Sequence, residues 1–190
     1  MAATTLSEKD RELIKEWLAC GVLQKVEKHR VDQRAGAILI TCSDGDRFPD
    51  IWKYQCNMQS AQRNDTRIHL FAWHGGSLAC VPESPINTIS NAHEVFLGQI
   101  PAARALKGIN TLVHYAHAPC GAAGLYGVDL KQVLGLQMKA HLEIIARNTG
   151  IDAFPFFHID YGEEKYSYFA SPKEYPQWVA NKAKTSRACA

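Results

Sequence analysis

The feature that most constrains the fold of this chain is a set of three apolar runs, each followed directly by reactive side chains. The runs are AGAILIT, RIHLFAW and INTLVHYA, over residues 35–41, 67–73 and 109–116. The first, a continuous apolar run, is typical of a strand buried in a parallel sheet, and the other two are further strand candidates. They lead into TCSDGDR, WHGGS and HAPCG. Since ligands bind outside the carboxyl ends of parallel strands, these segments predict a functional site.

Helical patterns separate the three runs. Ser7 is a candidate N-cap for a helix that ends near Ala19, and Asp129 is one for a helix over 130–148. Two more helices are predicted, over residues 22–30 and over residues 91–108 with a break at Pro101, because proline is not tolerated inside a helix.

Two alternating segments near the C-terminus, 154–161 and 165–170, flank the turn sequence GEE as the strands of a hairpin do. The predicted fold class is therefore α/β, with a mostly parallel central sheet flanked by helices and a C-terminal hairpin strand. We predict a helical arm over 1–34, one α/β domain over 35–175 and a frayed tail over 176–190.

Composition excludes several classes of function. The chain has 190 residues and a formal net charge of +2, without the concentrated basic face of a nucleic-acid-binding protein. It has neither a stretch long enough to span a membrane nor an N-terminal signal pattern, so we expect a cytoplasmic protein. In that compartment the six cysteines are free thiols or metal ligands.

One such metal-ligand set is suggested by the strand ends. His117 and Cys120 lie three residues apart on a tight turn, and Cys42 ends another predicted strand. Two thiolates and an imidazole suit Zn²⁺ and leave the fourth position open, as a catalytic zinc site requires. An HxxC spacing also occurs by chance, so buried core thiols are the alternative interpretation.

The order of the three motifs resembles the β-class carbonic anhydrase family, of which this chain would be a divergent member. That family carries C-x-D-x-R after its first sheet strand, an R-N-A-G-like turn after its second and H-x-x-C-G after its third. Here CSDGDR, WHGGS and HAPCG follow in that order, within a similarity over residues 35–170. The resemblance implies a Zn²⁺ cofactor held by Cys42, His117 and Cys120.

The resemblance also implies an activity and an assembly. The expected reaction is that of a carbonate dehydratase, the reversible hydration of carbon dioxide to bicarbonate by zinc-bound hydroxide. Asp44 would be either a fourth zinc ligand or a hydrogen-bond acceptor for zinc-bound water. The family implies a homodimer or higher homo-oligomer, in which the N-terminal arm wraps the partner and Trp17 and Leu18 lie at the interface.

Departures from the family pattern leave alternatives open. Asp46 stands where the family has an arginine that holds the aspartate off the metal, and Arg47 comes one residue later. Either an insertion lets Arg47 replace that arginine, or Asp44 closes on zinc. Trp73 replaces the turn arginine. The separation of Cys42 and His117 is also longer than usual, and we assign the extra length to residues 54–66 or 82–92.

The remaining predictions concern the surroundings of the metal. The candidates for the substrate pocket are His74, Gly75, Gly76 and Gly121. We interpret His114 as a packed histidine, Asp46 as a solvated loop carboxylate, and His141 and Glu143 as part of a solvated helix face. Carbonyl sulfide or carbon disulfide are alternative substrates, and a non-catalytic zinc-stabilised module is the alternative function.

Overall fold

The computed structural model describes residues 5–27 and 30–188, with side chains up to residue 184. In chain order its elements are α1 (Glu8–Ala19), β1 (Leu23–Gln24), β2 (Ala37–Cys42), α2 (Phe48–Ser60), β3 (Ile68–Trp73), a 3₁₀ helix (Gly76–Cys80), α3 (Ala92–Lys107), β4 (Thr111–Ala118), α4 (Gly121–Leu125), α5 (Leu130–Arg147), β5 (Asp152–Asp160), β6 (Lys165–Ala170) and α6 (Glu174–Ala188).

The described strands form one six-stranded sheet in the order β1-β6-β5-β4-β2-β3. Strands β3, β2, β4 and β5 are parallel, whereas β6 and β1 run antiparallel to their neighbours. Helices flank this mixed sheet, so the predicted α/β class is confirmed. No helix in the described ranges is both long and apolar enough to cross a membrane.

The two central strands lie deepest in the molecule. Every residue of β2 and of β4 is buried, which explains why both read as continuous apolar runs. They pair in parallel, with Ile40 opposite His114. Their carboxyl ends therefore meet at one edge of the sheet, where Cys42 and His117 are found.

Several predicted helices differ from the structure. Strand β1 replaces the helix predicted over 22–30 and pairs with β6, although residues 28 and 29 lie outside the described ranges. Helix α3 continues through Pro101, because the buried side chains of Leu97, Ile100 and Ala103 on either side of the proline pack against the core.

Three helices, α2, the short α4 and α6, were not predicted as such. Helix α2 has Pro49 in its first turn, where the missing amide hydrogen breaks no intrahelical hydrogen bond. Its residues Tyr54–Ser60 cover much of the segment 54–66, to which the extra length between Cys42 and His117 was assigned. The predicted frayed tail instead belongs to α6, which runs to Ala188. Residues 189 and 190 lie outside the described ranges.

Helix α1 begins and ends as predicted, since Ser7 and Asp10 form a reciprocal capping box. Its Trp17 is fully buried within this chain and contacts Phe157 and Trp178, with ring centroids 6.1 and 5.8 Å apart. The prediction that Trp17 lies at a subunit interface is therefore wrong, because its side chain has no exposed surface left, whereas the interface role of Leu18 stays a prediction.

A pair of histidines couples α5 to the sheet. The ring of His141 is only 9% exposed and stacks on that of the fully buried His114, with Nε2 of His114 3.3 Å from Nδ1 of His141. The solvated helix face predicted for His141 is thus wrong, whereas the packed role predicted for His114 is confirmed. Glu143 is half-exposed and pairs with Arg147 at 3.3 Å.

We expect this histidine pair to make the stability of the fold pH-dependent. Burial lowers the pKa of His114 and of His141, so the unfolded chain binds protons near pH 6.5 that the folded chain does not. The free energy of unfolding should therefore be highest above that pH and fall below it, by up to about 1.4 kcal/mol per pH unit for each such proton.

Urea unfolding at a series of pH values measures this slope. The substitution His141→Gln should make the slope shallower, because one of the two groups no longer titrates. A free energy of unfolding that stays constant from pH 7.5 to pH 5 would contradict the assignment.

Candidate metal centre

Three donor atoms converge where β2 and β4 end. Cys42 is the last residue of β2, His117 is the next-to-last residue of β4, and Cys120 lies in the turn before α4. Their ligand atoms all lie within 4.8 Å of one another, and all three residues are buried. Tetrahedral zinc holds such donors about 3.3–3.8 Å apart. This cluster could therefore hold a metal ion with only small adjustments.

The imidazole of His117 has the orientation that a metal ligand needs. Its Nδ1 lies 2.9 Å from the carbonyl oxygen of Pro119, which can only accept a hydrogen bond, so Nδ1 carries the proton. The lone pair is thereby left on Nε2, which is buried and has no hydrogen-bond partner among the described residues. A hydrogen bond on the far nitrogen is the usual support of a metal-bound histidine.

The two thiols influence each other's ionisation. A hydrogen bond from Cys120 lowers the pKa of Cys42, and the nearby His117 lowers it further. The same interaction raises the pKa of Cys120. One thiolate therefore forms readily, while the second proton leaves only when a cation compensates the added charge. Metal binding at this cluster should consequently release protons.

The two glycines of the WHGGS segment position Cys42. The backbone N–H of Gly75 donates a hydrogen bond to Cys42 Sγ at 3.3 Å. Gly76 adopts a φ of +58°, and a Cβ at this position would lie 2.6 Å from Cys42 N and 3.0 Å from Tyr115 O. Only glycine allows the backbone to approach both central strands so closely. Both residues are buried, so they support the metal ligand from behind.

The other two candidates for the substrate pocket lie elsewhere around the cluster. His74 is exposed at the end of β3, and Gly121 begins α4 directly after Cys120. A small cavity of about 210 Å³ reaches His117 and Cys120. Its lining is mainly apolar but also includes Thr5, Asp10 and Asp129, and none of the four predicted pocket residues is among the residues that line it.

Asp44 turns its carboxylate toward the cluster. Its Oδ1 accepts a hydrogen bond from the backbone N–H of Asp46 at 2.9 Å. Its Oδ2 lies 4.0 Å from His117 Nε2, the nitrogen that is free to bind a metal. The carboxylate therefore faces His117 but is not one of the mutually close donors, which are Cys42, His117 and Cys120, and its role as a fourth ligand stays a prediction.

Arg47 pairs with a residue that sequence analysis missed. Its Nε lies 3.1 Å from Asp160 Oδ2 and its Nη1 lies 3.7 Å from Asp46 Oδ2. No ion pair joins it to Asp44 in the part of the chain that the structure describes. Asp160 ends β5, far from Arg47 in the sequence, and no motif marked it.

His158 is a second missed neighbour of the cluster. It lies directly opposite His117 in the parallel pairing of β4 and β5, and its Nδ1 is 3.0 Å from Ser167 Oγ. Burial lowers its pKa to about 4, with a further contribution from His117. The only sequence signal was its position in an alternating strand segment.

Comparisons of this chain with protein-family models, with curated proteins and with solved structures found no match.

A single added methyl group at Gly76 should disturb the metal cluster. Gly76→Ala places a Cβ against the backbone at Cys42, so we expect at least about a tenfold loss of zinc affinity. The matched control is Gly108→Ala, since Gly108 has a similar φ of +63° but no atom within 4 Å of the added Cβ.

Zinc affinity can be measured by competition with a chromophoric chelator. Both variants should lose some stability from the positive φ, but only Gly76→Ala should lose zinc affinity. Equal affinities in the two variants would contradict the role assigned to Gly76.

Proposed function

We propose that this chain is a zinc-dependent lyase that reversibly hydrates carbon dioxide to bicarbonate, like the β-class carbonic anhydrases that its motifs resemble. The observation that carries the proposal is the buried cluster of Cys42, His117 and Cys120 with the carboxylate of Asp44 beside it. Three protein donors and a nearby acidic side chain are typical of a catalytic rather than a structural zinc site.

The donor set supports zinc as the metal. Thiolates and imidazole together favour Zn²⁺ over hard cations such as Mg²⁺ and Ca²⁺, which prefer oxygen. Bound here, zinc would supply a nucleophile at neutral pH by lowering the pKa of a water molecule from about 15.7 to near 7.

The residues of the chain orient the metal ligands. The Pro119 carbonyl holds the His117 ring, and the Gly75 N–H stabilises the Cys42 thiolate. The adjacent cavity of about 210 Å³ has room for a small molecule, and apolar side chains make up most of its lining beside Asp10 and Asp129. Asp44 can accept a hydrogen bond from a water molecule or take the fourth coordination position itself.

One observation favours the second candidate, a non-catalytic zinc-stabilised module. Arg47 pairs with Asp160 and Asp46, while Asp44 lies 4.0 Å from His117 Nε2. A permanently closed site would then bind zinc without turnover. Hydrolysis of carbonyl sulfide or carbon disulfide would use the same open site as carbon dioxide. The homodimer and the cytoplasmic location stay predictions.

Removal of one ligand tests the centre itself. Cys120→Ser should reduce zinc content from one ion per chain to near zero and abolish hydration, because serine is a much weaker donor at neutral pH. Cys20→Ser is the control, since Cys20 is an exposed free thiol. Elemental analysis and stopped-flow carbon dioxide hydration measure both properties.

The two readouts separate the candidate functions. Zinc retained in Cys120→Ser would show that the ligand set is wrong. Zinc in the unaltered chain without hydration above background would favour the non-catalytic module or another substrate.

Loss of the Arg47 side chain should reduce carbon dioxide hydration more than loss of the Asp46 side chain does. We expect Arg47→Ala to lower hydration at neutral pH by at least about tenfold, because a guanidinium is needed to draw Asp44 off the metal. Asp46→Ala should change it less than about twofold, since the Asp46 side chain is 85% exposed. The reverse order would contradict the role given to Arg47.

A further inference from the structure

A mostly buried ion pair connects the metal-site loop to the carboxyl end of β5, the strand next to β4. The Arg47 and Asp160 side chains are 12% and 10% exposed, and their Nε and Oδ2 atoms are 3.1 Å apart. Asp160 ends β5, whereas Arg47 immediately precedes α2 and follows Asp44 by three residues. The pair therefore fixes the segment that carries Asp44.

Lys165 extends this pair into a network. Its Nζ lies 3.7 Å from Asp160 Oδ2 and 2.7 Å from Asp50 Oδ2. Asp50 lies in the first turn of α2, so the network holds the start of that helix against the hairpin of β5 and β6. The Arg47–Asp160 pair is well shielded from water and so interacts more strongly than surface pairs do, whereas the side chains of Lys165 and Asp50 are 33% and 36% exposed.

We propose that Asp160 competes with Asp44 for Arg47 and so sets how often the fourth coordination position of the metal is open. This inference rests on the metal site of the proposed function. While Asp160 holds the guanidinium, the carboxylate of Asp44 stays turned toward His117 Nε2. Asp160 is a positioning residue that acts through Arg47 and Asp44.

Removal of the Asp160 charge should turn the Asp44 carboxylate away from His117 and toward Arg47. Arg47 would remain largely buried, where a charged group strongly requires a charged partner. Of the two carboxylates nearby in the loop, Asp46 is exposed to water and gains little from pairing. Asp44 is the better-shielded alternative, with a side chain 24% exposed, and its move to Arg47 would vacate the place beside His117.

The test uses the full chain reconstituted with Co²⁺, whose visible spectrum reports on its ligands. Azide is titrated at one fixed pH, because an added anion binds only where the fourth position is open. The apparent affinity scales with the open fraction, and we expect Asp160→Asn to bind azide about tenfold more tightly than the unaltered chain.

Two comparisons make the test specific. Asp46→Asn is the matched control, because it removes the other carboxylate near Arg47, and it should leave azide affinity within about twofold. In an Arg47→Gln background, Asp160→Asn should have no further effect, since the residue through which it acts is gone. A purely structural role for Asp160 would not vanish in that background.

A second variant covers the case in which Asp160→Asn does not fold. Lys165→Gln leaves Asp160 to Arg47 alone, so azide affinity should fall below that of the unaltered chain. An unchanged azide affinity in Asp160→Asn overturns the inference. If that variant does not fold, an unchanged azide affinity in Lys165→Gln overturns it instead. Failure of the unaltered chain to bind cobalt also overturns it. Carbon dioxide hydration is measured separately. A shift in azide affinity without hydration would uphold the inference and reject the proposed reaction.

Discussion

The candidate centre depends on the close approach of β2, β4 and the glycine turn after β3. Parallel pairing of the two buried strands brings Cys42 and His117 to the same edge of the sheet. Gly76 fits between the end of β2 and the carbonyl of Tyr115, with no room for a side chain. The adjacent Gly75 then directs its N–H to the thiolate. The metal cluster is therefore a consequence of backbone packing as much as of ligand identity.

Sequence reasoning succeeded where one local pattern carries the information. The apolar runs predicted β2, β3 and β4, and the HAPCG segment, together with Cys42, predicted the cluster that the structure brings together. Both capped helices also began where Ser7 and Asp129 indicated. In each case the deciding interaction lies within a few residues, or follows from the geometry of parallel strands.

Sequence-based predictions were wrong where contacts between residues far apart in the chain determine the structure. Strand β1 is only two residues long and exists because β6 offers it an edge. Trp17 was predicted to lie at a subunit interface, whereas in the structure it packs against Trp178 of α6. That helix was not predicted, because the sequence of the tail was interpreted as frayed. The partner of Arg47 proved to be Asp160, an ion pair that no loop motif encodes. Tertiary contacts of this kind override local patterns.

The charged groups around the centre have opposing preferences. Asp44 would be attracted by a cation at the cluster, and Arg47 is shared between Asp160 and Asp46. In a partly buried setting such competition is resolved by small differences in distance and solvation. In the proposed centre, the balance between an open and a closed metal site would thus be a property of the whole network, whereas metal affinity would depend on the three donors and on the glycine turn that supports them.

The central claim is that Cys42, His117 and Cys120 together bind one zinc ion. X-ray absorption at the zinc edge of the reconstituted chain tests it most directly. The account predicts two sulfur neighbours at about 2.3 Å and two nitrogen or oxygen neighbours at about 2.0–2.2 Å. A zinc ion with no sulfur neighbour, or with four, would contradict it.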